Sequence, residues 1–378
     1  MSLTPAAAVK RVVETSELAA YEAVLAAGPA ALPAILKTLA ARRAVPAMTS
    51  LLSMLDLPIE TLAPLLPSME GSVAPAALAA HARIDDPRVL PMILERLPRR
   101  NAYVALGDHG DPKGHDALRK VAAPIVGKKG EKLPKGTAWL KNFDEEVGDL
   151  DLVLIAAVAM AKLGDQSLAP VVIQLATRVD PDNPDAGADL RSSATIALSY
   201  FAAPGVAAAV RKTLSDPNAD VVAEGLRTSL YIGRMAEAEG IMEVVRGDGE
   251  QAGIAIWYLE AWAGTRPGTR RDKRPSPAEL DKWWAGVKSK LSANVCYRFG
   301  KPIDLAALVA NLVEDPLHIR DQLRIHTGAA CFLDELGGDP VTKHEKAEVA
   351  AWWKAHAAEY PAGKLFRWGR TFEPDSVD

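Results

Sequence analysis

Cysteine is nearly missing from this chain: Cys296 and Cys331 are the only two among 378 residues. Two thiols cannot build a disulfide framework or a thiolate zinc site, so a reducing compartment is expected. Aromatic residues are also scarce, at 6%, although 49% of the chain is hydrophobic. The apolar excess is mostly alanine, a strong helix former that lets helices approach closely. Such a composition excludes disorder as the main state. Positive charge is not in excess either: 44 Lys and Arg against 48 Asp and Glu leave −4, so no global basicity marks a nucleic-acid partner. The uncharged stretch 192–210 is split by Pro204-Gly205 and diluted by Ser192, Ser193, Thr195 and Ser199. It reads as two soluble helices rather than a membrane span. Near the N-terminus Lys10 and Arg11 are followed by Glu14 and Glu17, where a signal peptide needs an apolar run. A soluble cytoplasmic protein is the expectation.

What the chain does have is internal repetition. Residues 151–176, 189–214 and 220–245 align without a gap. Each segment opens with an Asp suited to capping a first helical turn. A small residue follows (Ala156, Ala194, Gly225), then a large apolar one (Leu163, Phe201, Ile232), then Gly164, Ala202 or Gly233, where the chain can turn. A second helix carries Val172, Val210 and Ile241 in register. The starts lie 38 and 31 residues apart, and the difference falls in the Pro- and Asp-rich loop 179–188. A fourth unit begins near Glu250. Upstream, LPAILKTL from Leu32, LAPLLPSM from Leu62 and LPMILERL from Leu90 repeat the second-helix text. A helical pair of about 30 residues cannot bury its apolar faces alone, and stacking neighbours bury them in one continuous core. The expected fold is all-α, a HEAT-like α-solenoid of stacked helical pairs. Its divisions are 1–126 as diverged repeats, 127–148 as a charged projecting loop and 149–264 as regular repeats. A basic linker, 265–275, and modified repeats in 276–378 complete it.

The C-terminal third contains a second duplication. Trp283-Trp284 precedes Tyr297-Arg298-Phe299-Gly300-Lys301, and Trp352-Trp353 precedes Phe366-Arg367-Trp368-Gly369-Arg370, with 14 residues from first Trp to first aromatic in both copies. Ser276 with Glu279, and Thr342 with Glu345, predict capping boxes at the starts of the two Trp helices. Each aromatic-Arg-aromatic-Gly-basic string is expected as an extended segment lying over its own helix. As surface patches, these residues suit a binding hot spot. As packing elements, each string closes a helical repeat, with Arg as a cation–π partner, and the fixed spacing of the copies favours that shared structural job. Residues 304–338 read as one more helical pair.

The text from Pro277 to Leu291, the strings YRFGKPIDLAALVANL and IRDQLRIHTGAACFLDE, and EVAAWWKAHAAEYPAGKLFRWGR resemble an uncharacterised proteobacterial family of HEAT-repeat proteins. Members of that family lie in or near type VI secretion gene clusters. The resemblance covers the C-terminal hundred residues best. It implies a cytoplasmic binding or adaptor role toward a secretion machine and transfers no catalytic residue.

Chemistry-bearing clusters are few. His109 and His115 stand with Asp108, Asp111 and Asp116, but Gly, Asp and Pro are expected there as turn residues, and no metal site is assigned. His318 and His326 have no acidic partner fixed by spacing. Neither cysteine has a local base, and no phosphate loop, HExxH or GxSxG is present. The chain is expected to be no enzyme and to need no cofactor. The alternative is a nucleic-acid-binding protein of HEAT-like DNA-glycosylase type, using the basic residues of 266–274 and 128–141 with nearby Trp. The aligned repeats show no basic column, which a phosphate-neutralising groove requires. A non-catalytic scaffold or adaptor for a protein partner is the preferred reading. Its partner-binding candidates are Trp257, Tyr258, Trp262, Trp283, Trp284, Tyr297, Arg298, Trp352, Trp353, Phe366, Arg367, Trp368 and Arg370. Trp257, Tyr258 and Trp262 span too wide an arc of one helix to be buried together.

Overall fold

The computed structural model describes residues 3–55, 57–66, 73–126, 143–247, 249–268, 273–292, 295–313, 316–329, 342–362, 364 and 366–371. It is 69% helical with 3% strand, so the protein is all-α. The elements begin with α1 (Pro5–Thr15), α2 (Leu18–Ala27), α3 (Leu32–Ala40), α4 (Val45–Met54), the single turn α5 (Ile59–Leu62), α6 (Val73–Ala82), α7 (Val89–Leu94), α8 (Arg100–His109) and α9 (His115–Val126). Next come α10 (Phe143–Lys162), α11 (Ala169–Thr177), α12 (Ala188–Ala197), α13 (Val206–Thr213), α14 (Ala219–Ile232), α15 (Met235–Arg246), α16 (Ala252–Ala263) and α17 (Pro277–Lys288). Then follow β1 (Tyr297–Arg298), β2 (Lys301–Pro302), α18 (Leu305–Ala310), α19 (Pro316–Thr327), α20 (Lys343–His356), β3 (Phe366–Arg367) and β4 (Arg370–Thr371). Two compact units result: residues 1–117 with 305–361, and residues 118–304 with 362–378. Residues 276–378, expected as one block, are therefore shared between both.

In the second unit α10, α12, α14 and α16 pack on one another in that order, and so do α11, α13, α15 and α17. First helices lie on first helices and second on second, which gives two layers. The small-residue column lets a first helix approach the second helix before it: a Cβ at Gly225 of α14 would stand 2.7 Å from Oγ1 of Thr213 on α13. Leu226, Leu230, Ile241, Met242, Leu259 and Trp262 fill the core between the layers. Gly164 and Gly233 turn the chain at φ 93° and 74°, the left-handed conformation that glycine supplies without a Cβ penalty. The opening Asp residues do not cap. Asp151 lies within α10, Gly187 precedes α12, and Asn218 caps α14 by accepting from the Asp220 amide at 3.0 Å. Asp189 and Asp220 sit instead in first turns, where their negative charge complements the positive end of the helix dipole. Helix α10 starts at Phe143, so residues 143–148 of the expected loop 127–148 are helical; 127–142 lie outside the described residues. The inserted loop 179–188 is held by Arg191, buried with Asp216 in a two-bond pair of 2.9 and 3.0 Å and donating to the Ala186 and Pro184 carbonyls at 2.7 Å.

In the first unit α2, α4, α6 and α8 pack in succession, with α3 against α1, α4 and α6. Val9, Val12, Tyr21, Ile35, Leu39, Leu51, Leu52 and Leu62 form its core. Residues 18–40 make a continuous helical stretch of 23 residues, long and apolar enough to cross a membrane by length and composition. Gly28, at φ 56° and ψ −137°, breaks its α-helical course, and Val24, Ile35 and Leu39 are buried in the core. Helices α18 and α19 form the expected pair, and α20 packs on α2 and α18. Arg320 pairs with Glu345 at 3.0 Å, and Arg324 with Asp108 at 2.8 Å. Gly337-Gly338 and Cys331 lie outside the described residues.

Candidate functional site

The duplicated strings are not simple extended segments but two β-hairpins of the same build. In the first, Tyr297 pairs with Pro302 and Arg298 with Lys301; in the second, Phe366 pairs with Thr371 and Arg367 with Arg370. The two connecting residues have positive φ in both, 53° and 70° at Phe299-Gly300 and 50° and 75° at Trp368-Gly369. That is the backbone pattern of a type I′ turn, whose twist matches paired strands. An aromatic residue at positive φ is strained, and both hairpins hold it by seating on helix ends. The amides of Phe299 and Gly300 donate to the Ala261 and Trp262 carbonyls at 2.9 Å, and the Tyr297 amide donates to the Gly233 carbonyl at 2.7 Å. They satisfy C-terminal carbonyls that α14 and α16 leave without intrahelical donors. Trp262 Nε1 donates to the same Gly233 carbonyl at 2.7 Å. The second hairpin seats on the ends of α10 and α12: Arg370 donates to the Lys162 carbonyl at 2.9 Å, and Trp368 meets Tyr200 at 5.8 Å between centroids. Lys162 Nζ stands 4.6 Å from the centre of the Trp368 ring. The four turn ends of the aligned repeats are thus covered in pairs, repeats one and two by the second hairpin and repeats three and four by the first.

This seating decides which candidates face solvent. Tyr258, Trp262, Tyr297, Arg298, Phe366 and Arg367 are 0–6% exposed, so these six are packing residues rather than parts of an open surface. Their hot-spot chemistry is used within the chain: Arg298 lies 4.5 Å from the Phe299 ring centre, and Arg367 donates to the Phe366 carbonyl at 3.0 Å. Burial brings the Arg367 guanidinium down to about 10, the Cys296 thiol opposing and Arg234 reinforcing the shift. Burial likewise pushes Cys296 up to about 12, which leaves negligible thiolate at neutral pH. Trp283, Trp284, Trp352, Trp353 and Trp368 are half-buried, and Arg370 is exposed. Trp284 meets Trp262 at 6.0 Å, while Trp283 donates to Thr265 Oγ1 at 3.2 Å, beside the end of α16. Both capping boxes form, with Ser276 and Thr342 amides donating to Glu279 and Glu345 at 2.8 Å.

Trp257 stands apart from that packing. It is 39% exposed, edge-on to Tyr258 at 4.9 Å, and Ile254 one turn before it is 47% exposed. The sequence reading missed Ile254, although its three-residue spacing from Trp257 puts both on one helix face. A groove of about 480 Å³ opens beside the start of α16, lined by Arg211, Leu214, Val222, Glu243, Val244 and Glu250 among others. Gly240 shapes its floor, since a Cβ there would stand 2.8 Å from Leu214 Cδ1. The basic linker is partly tied down: Arg266 pairs with Glu260 at 2.9 Å, and Arg274 donates to the Val245 carbonyl at 2.9 Å and to the Gly247 carbonyl. His109 ends α8 and His115 starts α9 around a turn capped by Asp111. Among the described residues no three His, Cys, Asp or Glu converge as a metal site would require. No protein-family profile, no curated protein and no solved structure matches this chain.

Proposed function

We propose that the chain is a HEAT-like helical-repeat adaptor, an α-solenoid in its repeat packing, that docks a protein partner on its third and fourth aligned repeats. The single observation that carries the reading is the exposed pair Ile254 and Trp257 on α16. In a repeat array the terminal units are normally polar on their outer face. Here the last first-layer helix of the array instead presents an isoleucine and a tryptophan, and an exposed Trp beside a second apolar residue is hot-spot chemistry. Glu250 and Gln251, one turn N-terminal, line the groove of about 480 Å³, so apolar ridge and charged groove form one continuous surface. Leu214, Val222 and Val244 would take an apolar side chain there, and Glu243 with Glu250 would orient a basic one. The resemblance to HEAT-repeat proteins near type VI secretion genes makes a cytoplasmic component of such a machine the partner to seek. The test is quantitative affinity purification from the native cell with the wild type and the double variant Ile254→Ser, Trp257→Ser. Loss of one partner by tenfold or more, with unchanged circular dichroism, is expected. Equal recovery of every co-purifying protein would end the assignment of this face.

A further inference from the structure

In the first unit α2, α4, α6 and α8 stack as the first helices of the second unit do, and among the described residues no hairpin covers the ends of α4 and α6. Aligning the second-helix texts at Leu32, Leu62, Leu90 and Leu168 places Pro58 and Asp86 at the turn column of Gly164. Residues 53–57 and 83–84 then correspond to the helix ends that the hairpins cover in the other unit. At this place lies a groove of about 470 Å³ lined by Ser53, Met54, Leu55, Leu57, Ala80, Arg83 and Ile84, and closed on one side by His344, Glu348, Ala351 and Trp352 of α20. The volume is that of an ordinary ligand pocket.

Three features make this groove a seat of the hairpin kind. Arg83 donates to the Ser53 carbonyl at 2.9 Å, as Arg370 of the second hairpin does to the Lys162 carbonyl at 2.9 Å, so the helix-end cation is already in place. Trp352 holds the position in α20 that Trp283 holds in α17, and each stands at a first-helix end. In the first copy of the duplication the Trp helix and its hairpin belong to the same unit; in the second copy α20 belongs to the first unit and residues 366–371 to the other. The C-termini of α4 and α6 point their negative dipole ends here, and Glu348, paired with Arg83 and 3.8 Å from His344, keeps 31% of its side chain exposed toward the groove.

We propose that the groove between the ends of α4 and α6 and helix α20 receives a tight turn of a partner protein that presents an aromatic residue followed by Gly, flanked by Arg or Lys. The aromatic ring enters between Leu57, Ile84 and Trp352, and the flanking cation meets Glu348. The site lies in the other unit from the α16 face and stands or falls without it.

The probe is a labelled synthetic peptide with the chain's own turn text, Lys-Leu-Phe-Arg-Trp-Gly-Arg-Thr, titrated by fluorescence anisotropy against the full chain. Saturable binding is expected, weakened tenfold or more by Ala351→Trp, which fills the groove from the exposed side of α20. The variant Trp352→Ala should weaken it similarly, while Ile254→Ser with Trp257→Ser should leave it unchanged. A peptide with Ala for its Trp should fail to bind. Absence of saturable binding to the wild type, or binding that survives both groove variants with circular dichroism intact, overturns the proposal. Binding lost only in the α16 variant would also overturn it and would assign the peptide to that face.

Discussion

Replacing Gly264 by Ala attacks the seat of the first hairpin at its closest approach. The residue has φ 67°, and a Cβ built there would stand 2.4 Å from the Phe299 carbonyl oxygen and 2.6 Å from its carbon. Placing an L-residue in the left-handed region costs about 1–2 kcal/mol. The overlap is with backbone, so the turn must lift. Lifting it breaks the Phe299 and Gly300 amide bonds to Ala261 and Trp262, both 2.9 Å, each contributing about 1 kcal/mol. The sum is about 3–4 kcal/mol, and at a urea slope of about 2–3 kcal/mol/M the midpoint should fall by roughly 1–2 M. Gly253→Ala, one helix length away in α16 with nothing within 4 Å of the added Cβ, is the internal reference. There the helix should gain about 0.5–1 kcal/mol, because alanine loses less backbone freedom than glycine. Urea unfolding followed by Trp fluorescence checks both. A Gly264→Ala midpoint within 0.3 M (on the order of 1 kcal/mol) of the wild type would refute the seating argument.

Two further predictions bear on buried polar groups. Asp216→Ala should destabilise by about 3–5 kcal/mol, since it strands the Arg191 guanidinium, 2% exposed, without its carboxylate; differential scanning calorimetry reads the loss, and a change below about 1 kcal/mol would contradict it. His81 is fully buried with Nδ1 2.6 Å from the Ala77 carbonyl, and burial lowers its pKa below 6.5. The unfolded chain therefore takes up the proton first, so this contribution to stability is complete above pH 6.5 and is lost as pH falls toward the folded value. The urea midpoint should drop more between pH 7.5 and 5.5 in the wild type than in His81→Leu, and equal drops would exclude the histidine as the cause.

Helix pairs were legible because their signal is periodic: apolar spacing, a small-residue column and a turn glycine recur in register, and each has a packing cause in the structure. The capping boxes were legible for the same reason, since Ser or Thr with Glu three residues later closes two bonds using local geometry alone. The hairpins were not. Asn-Gly and Asp-Gly announce a type I′ turn, whereas Phe-Gly and Trp-Gly hold that turn only because helix carbonyls and Lys162 stabilise the strained aromatic from outside. Long-range partners of that sort leave no mark on local spacing. The same gap misplaced four of the thirteen surface candidates, Tyr297, Arg298, Phe366 and Arg367: an aromatic-Arg string looks identical whether its contacts are made within the chain or with a partner. The helix-end role of Arg370 and the match between its seat and the groove beside Arg83 needed coordinates to appear.

That ambiguity also indicates where partner binding should be sought. Aromatic rings and guanidinium groups contribute strongly wherever they leave water and meet carbonyls or other rings, so residues already in that state have little further affinity to offer. Tyr297, Arg298, Phe366 and Arg367 are in that state, and removing any of them should register first as lost stability. Ile254 and Trp257 keep 47% and 39% of their surface in water, and Trp352 lines a groove with Leu57 and Ile84. Burial, more than residue type, therefore separates the two classes. Substitutions in the first class should act on folding, and under the proposed docking role those in the second should act on association while leaving the fold as it is.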